Sequence, residues 1–188
     1  GEAKVLSREY GNELKFTNAT DYLRYDGDRW CEDKQLAVGA TEEFLDLQLA
    51  DAEDAVETAV KALVTAGVDE VTARAGGKDL EKACTTPKLL KLYFMLLGAK
   101  TYLKFVQKRR DYKYVVSTMN AAKPMLAINV TDLDKDPFLI NTPEATIDMT
   151  KGLAGKKEHD PADLITKITA CSPSEVGKAI WEDALDTF

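Results

Sequence analysis

The chain has 188 residues, 45% hydrophobic and 30% charged, a balance that excludes wholesale disorder and fits one domain of ordinary size, or one with a small appendage. No run of 18 apolar residues exists, so no helical membrane span is expected, and Gly1-Glu2-Ala3-Lys4 carries no signal-peptide core. The net charge of −7 argues against a surface coated for nucleic acid, while three distant cysteines (Cys31, Cys84, Cys171) and the single His159 exclude a disulfide framework, a Cys-rich zinc site and two-histidine metal motifs. The thiols are expected reduced, in a cytoplasmic protein. Gly1 in place of Met points to a processed chain or a piece of a longer protein.

Residues 10–33 read as a small β element. Leu23-Arg24-Tyr25 and Arg29-Trp30-Cys31 flank Asp26-Gly27-Asp28, and Asp-Gly between aromatic-bearing runs signals a hairpin turn that needs positive φ. Tyr25 and Trp30 are placed to meet across it, with Trp30 either packing the hairpin onto a helix or meeting a partner. From Thr41 the pattern becomes helical, with Thr41 as N-cap and Glu42 and Glu43 in the first turn. Phe44, Leu47, Ala55, Ala59, Ala62 and Leu63 mark its apolar positions, and it should end near Gly67. Short helices are expected over 68–75, closed by Gly76-Gly77, and over 79–84.

Pro87 sits where a helix starts, and 89–110 reads as one long helix with Leu89, Leu92, Tyr93, Leu96, Leu103 and Val106 on its core face. A shorter helix follows over 112–122, and Pro124 opens a further short segment, 125–129. Asp136-Pro137-Phe138-Leu139-Ile140-Asn141-Thr142-Pro143 is extended and proline-punctuated. Thr146–Met149 reads as a strand followed by a Lys151-Gly152 turn, and Leu164–Thr169 alternates as a second strand. An amphipathic helix containing Trp181 should begin at Glu175. The fold class is therefore α+β and predominantly helical: a helical bundle with an N-terminal β-hairpin and a small C-terminal β element.

Charge is polarised along the chain. Lys88, Lys91, Lys100, Lys104, Lys108, Arg109, Arg110 and Lys113 face only Asp111, a local +7 that leaves −14 on the remainder. Residues 41–60 hold seven acids (Glu42, Glu43, Asp46, Asp51, Glu53, Asp54, Glu57) and no base. Lys100, Lys104 and Lys108 fall at i, i+4 and i+8 and form one stripe. A basic stripe interleaved with Tyr93, Tyr102, Tyr112 and Tyr114 suits phosphates and unpaired bases; a solvated face, or a face docked on the acidic helix, is the plainer account.

Other chemistry is missing from the sequence. Gly77-Lys78, Gly155-Lys156 and Gly177-Lys178 lack the upstream glycine and following Ser or Thr of a phosphate loop, and GxGxxG and GxSxG are absent. Asp132, Asp134 and Asp136 alternate like part of a calcium loop but lack its glycine and distal glutamate, so they read as a turn-forming acidic loop.

One ordered set of motifs points to a family. Tyr22-Leu23-Arg24-Tyr25-Asp26-Gly27-Asp28-Arg29-Trp30 opens the series. Asp136-Pro137-Phe138-Leu139-Ile140-Asn141-Thr142-Pro143 and Thr146-Ile147-Asp148-Met149 follow, then His159-Asp160-Pro161-Ala162-Asp163-Leu164-Ile165-Thr166-Lys167-Ile168-Thr169. The set resembles the domain that precedes the helicase in phage, plasmid and poxvirus primase-helicases of superfamily 3. Residues 40–120 agree only as a helical region, and Glu144-Ala145 stands where the family has Asn-Gly. The resemblance implies a non-catalytic DNA-replication module between a primase and a hexameric ATP-dependent helicase. ATP and magnesium would bind on the helicase domain and no cofactor on this chain. It also implies a chain encoded by a phage or mobile element and acting in the bacterial cytoplasm. The expected partition is a hairpin element over 1–33, a helical core over 34–130, a small β-rich segment over 131–172, and the start of a linker helix toward the ATPase over 173–188. Expected partners are single-stranded DNA, the flanking primase and helicase domains, and neighbouring subunits of a ring. The DNA-facing set, chosen on charge, is Lys100, Lys104, Lys108, Arg109, Arg110 and Lys113. The alternative is a scaffold that contacts neighbouring subunits and not DNA.

Overall fold

The structure is a computed structural model that describes residues 1–174 and 176–186, excluding the side chains at 153, 180, 181, 184 and 185. Two compact units share the chain: Ala3–Ala37 with the chain from Ala122 onward, and Val38–Ala121. The fold is α+β and predominantly helical.

In the first unit, helix α1 (Glu2–Glu9) buries Ala3 and Leu6. Three antiparallel strands follow, β1 (Leu14–Thr17), β2 (Asp21–Tyr25) and β3 (Trp30–Cys31), in that spatial order. The hairpin expected from Asp-Gly is there, with Tyr25 opposite Trp30, and it gains β1 as a third strand. Gly27 takes φ +109 at the first central position of the turn, a conformation that a side chain would oppose. The Asp26 carboxylate accepts the backbone N–H groups of Asp28 and Arg29, both at 2.9 Å, and fixes the loop. Trp30 is 1% exposed and its ring centroid lies 5.5 Å from that of Tyr25, so it packs the unit together.

A second antiparallel sheet orders β4 (Leu139–Asn141), β5 (Thr146–Asp148) and β6 (Lys156–Lys157). Thr142 and Ala145 exchange two backbone hydrogen bonds (2.9 and 3.3 Å) to close the β4–β5 turn. Pro143 and Glu144 stand at its centre, where proline presets φ and no Asn-Gly is required. The expected strand at 164–169 does not form. Its backbone is bonded at separate points instead: the Ile165 carbonyl accepts from Trp30 N–H (2.8 Å), the Leu164 carbonyl accepts from Asp134 N–H (3.0 Å), and Thr169 N–H donates to the Asn141 carbonyl (2.9 Å). Leu164 at φ +53 breaks the extended run that alternation implied. Helix α7 runs Lys178–Asp186, while the expected start at Glu175 and the side chain of Trp181 lie outside the described residues.

Helix α2 (Lys34–Thr65) starts seven residues before the expected N-cap. Asp33 takes that role, its carboxylate accepting Gln35 N–H at 2.7 Å and Leu36 N–H at 3.2 Å. Thr41 is instead fully buried within the helix. Within the second unit, α2 buries Phe44, Leu45, Ala52, Ala59, Val60 and Leu63, whereas Leu47 and Ala55, expected on the core face, are exposed. Gly67 at φ +99 ends the helix, with Val68 N–H bonded to the Leu63 carbonyl at 3.1 Å.

Short helices α3 (Glu70–Ala75) and α4 (Gly77–Ala83) lead to α5 (Pro87–Arg109), where Pro87 follows Thr86, whose hydroxyl caps Leu89 N–H at 3.2 Å. Val60, Leu63, Val68, Ala73, Leu80, Tyr93 and Leu96 pack into one core. Tyr93, read from the sequence both on the core face of this helix and among the interleaved tyrosines, is a core residue. Helix α6 (Tyr112–Leu126) continues through Pro124 instead of restarting there. That proline sits in the last turn, where it removes a single helical hydrogen bond, and burial of Ala122 and Leu126 holds the turn.

Candidate nucleic-acid interface

The α5–α6 corner gathers part of the basic segment. The chain turns through Arg110 and Asp111, with Tyr114 N–H bonded to the Asp111 carbonyl at 2.8 Å. Lys108 and Arg109 thus lie in the last turn of α5, where the helix dipole favours cations, and Lys113 lies in the first turn of α6. All three converge on one ring: Lys108 Nζ is 5.8 Å, Arg109 Cζ 4.9 Å and Lys113 Nζ 5.0 Å from the Tyr114 centroid. Arg109 also covers the Phe105 ring at 4.8 Å, and Phe105 stacks on Tyr102 with centroids 6.3 Å apart at 20°. Cation–π attraction orients the cations while leaving their charge available to an anion. Tyr102, Phe105 and Tyr112 are exposed. Burial pushes the Tyr102 phenol up from its ordinary value, helped by acidic charge including Asp51, which keeps the ring neutral.

The other expected DNA-facing residues are placed differently. Lys100 donates to the Arg74 backbone carbonyl at 3.0 Å. Arg110 forms an ion pair with Asp46, one point where the acidic helix meets the basic segment. Lys104 is exposed on α5, away from the Tyr114 ring contacts. Sequence reading passed over Phe105, although its i, i+4 spacing to Arg109 was a legible signal.

In the first unit, residues of the ordered motifs converge on a polar knot. Asn141, 4% exposed, donates through Nδ2 to the Asp28 carbonyl at 2.6 Å. Its Oδ1 accepts the Thr146 hydroxyl at 2.5 Å and faces His159 Nδ1 at 3.2 Å. His159 Nε2 lies 3.6 Å from the Asp28 carboxylate. Trp30 Nε1 donates to the Pro161 carbonyl at 2.9 Å. Asp134 accepts both N–H and O–H of Thr166, at 2.8 and 2.5 Å, so the acidic loop braces the backbone. The knot ties the hairpin to the C-terminal sheet, a structural role for residues that are far apart in sequence. Among the described residues, no group of three or more His, Cys, Asp or Glu is placed to hold a metal ion, and no helix is long and apolar enough to cross a membrane.

Residues 3–188 match the family model described as D5 N terminal like, and the chain belongs to that family, the pre-helicase domain of phage- and poxvirus-type primase-helicases. The domain is not itself catalytic, and its setting is DNA replication. Comparison with curated proteins and with solved structures gives no match.

Proposed function

We propose that the chain links a primase to a hexameric, ATP-dependent superfamily 3 helicase and handles single-stranded DNA at the α5–α6 corner. The observation that carries the reading is Lys108, Arg109 and Lys113 on the Tyr114 ring, continued by exposed Phe105 and Tyr102. Cations neutralise phosphates without reading sequence, and neighbouring aromatic faces stack unpaired bases. The whole basic segment contributes attraction at longer range, but Lys100 and Arg110 already have partners within the domain.

Fluorescence anisotropy of labelled single-stranded DNA against salt tests this. Three phosphate contacts give a slope of log K on log salt of about −2. Arg109→Ala with Lys113→Ala should weaken binding about tenfold and flatten that slope. Lys100→Ala should leave affinity within about twofold, since its ammonium is held by the Arg74 carbonyl. No binding at low salt, or equal losses from the two variants, overturns the assignment.

A further inference from the structure

Helix α5 turns a second face to solvent, and that face is apolar. Leu90 is 38%, Phe94 64% and Leu97 40% exposed, at i, i+4 and i+7 on one row opposite the buried Tyr93 and Leu96, with Met95 beside them at 52%. Single exposed apolar residues are ordinary, whereas a contiguous row of this size marks a binding surface. The row is straight and spans about 10 Å, a spacing that a second helix meets with its own i, i+4 and i+7 anchors. Gly98 lies one turn past Phe94 and is exposed, and a Cβ there would meet nothing within 4 Å, so a partner backbone can come close at that point.

The frame around the row fixes the sign of the partner. No acid occurs in α5. Lys91 flanks the row beside Phe94, and Lys104 closes it seven residues past Leu97; both are exposed, and neither has an ion-pair partner among the described residues. The α2 acids that reach α5 do so at its C-terminal end, Asp46 on Arg110 and Asp51 toward Tyr102, past this row. A basic partner would set like charges together, and a neutral one would leave both ammonium groups unanswered, so the frame selects acid on the partner's flanks. Unpaired bases stack on flat rings, and Leu90, Met95 and Leu97 have none, so the row suits a protein rather than a nucleic acid.

We infer that the Leu90–Phe94–Leu97 row of α5 docks an acidic amphipathic helix of a separate protein, with Phe94 as the central anchor and Lys91 and Lys104 pairing with carboxylates on its flanks. The apolar row supplies the affinity, and the lysines supply the choice of partner and the rate of encounter. Phe94 and Phe105 are 11 residues apart, about 16 Å along the helix, so the row and the α5–α6 corner can be tested separately. The inference stands apart from the DNA reading.

Fluorescence anisotropy of two labelled probes against the 188-residue chain tests it. Each probe is a designed helical peptide of about 18 residues with leucines along one face; one carries glutamates on both flanks, the other lysines. At low salt the glutamate probe should bind at least about tenfold tighter than the lysine probe. Phe94→Ala should weaken it by about tenfold, and Phe94→Glu should abolish it. Lys91→Glu with Lys104→Glu should reverse the preference toward the lysine probe, which unfolding could not do. All three positions are exposed, so folding should survive, and circular dichroism checks it. A glutamate probe that fails to bind at about 1 mM overturns the proposal. Equal binding of the two probes, or binding that survives Phe94→Glu, overturns it as well. Loss of single-stranded DNA binding in Phe94→Glu would make the row part of a nucleic-acid path. Dimers in sedimentation velocity that Phe94→Glu dissolves would give the row to a second copy. Either result refutes a separate acidic helix as the occupant.

Discussion

Asn141 holds the first unit's polar knot, so its replacement has a calculable cost. Asn141→Ala removes the bond to the Asp28 carbonyl, the acceptor for the Thr146 hydroxyl and the acceptor facing His159. Each net hydrogen bond contributes about 1 kcal/mol, and a buried group left unsatisfied costs about 1–3 kcal/mol. Thr146 is 1% exposed and loses its acceptor, but its hydroxyl lies 3.3 Å from His159 Nδ1 and regains a partner if that nitrogen is unprotonated. The expected loss is therefore about 2–4 kcal/mol, read by urea denaturation followed by circular dichroism. Asn141→Asp sharpens the test. At neutral pH it keeps the Oδ1 acceptor but turns a carboxylate oxygen toward the Asp28 carbonyl in place of the N–H donor. Protonation restores a donor, so the native state raises this carboxyl's pKa above its unfolded value. The unfolded state then binds fewer protons over that interval, and relative stability must rise as pH falls through the native pKa. If the Asn141→Asp variant were as stable as wild type at pH 7, with no relative gain on acidification, the knot would be refuted.

Gly155 is buried, and a Cβ there would run into the Asp148 backbone carbonyl, so Gly155→Ala should shift the urea midpoint by the equivalent of about 2 kcal/mol or more. A loss under about 0.5 kcal/mol would show that the turn relaxes freely. Asp148 is held down to about 2 from its ordinary 3.8 by hydrogen bonds from Lys151 and Thr150. This depressed carboxyl supports the fold above its unfolded pKa, and the support is lost as pH falls from about 4 to about 2. Carbon-detected NMR titration should show that midpoint, and Lys151→Ala should move it back toward the ordinary value; an unmoved midpoint would remove Lys151 as the cause.

Much of the fold was legible locally. Pro87 announces the start of α5, and the spacing of Leu89, Leu92, Tyr93, Leu96 and Val106 fixes its inward face, because proline's preset φ and the 3.6-residue period act within a few residues. Gly27 determines the hairpin turn through the φ that only glycine adopts at low cost. The ordered motifs identify the family without any long-range information.

Tertiary structure alone decided the rest. The alternation at 164–169 met the period of a strand, yet Trp30, Asp134 and Asn141 take its backbone bonds one by one, and no local signal reveals where those partners lie. Leu47 fits an apolar helical position, but α2 turns it to solvent, because the helix buries the row running through Phe44, Leu45 and Ala52. Six cations read from charge alike became distinct in space: Lys100 on a carbonyl, Arg110 on Asp46, Lys104 exposed on α5, and Lys108, Arg109 and Lys113 around one tyrosine. Charge and periodicity are properties of the chain, whereas partnership depends on which distant groups the packing brings within about 3–6 Å, the distance over which hydrogen bonds and cation–π contacts act.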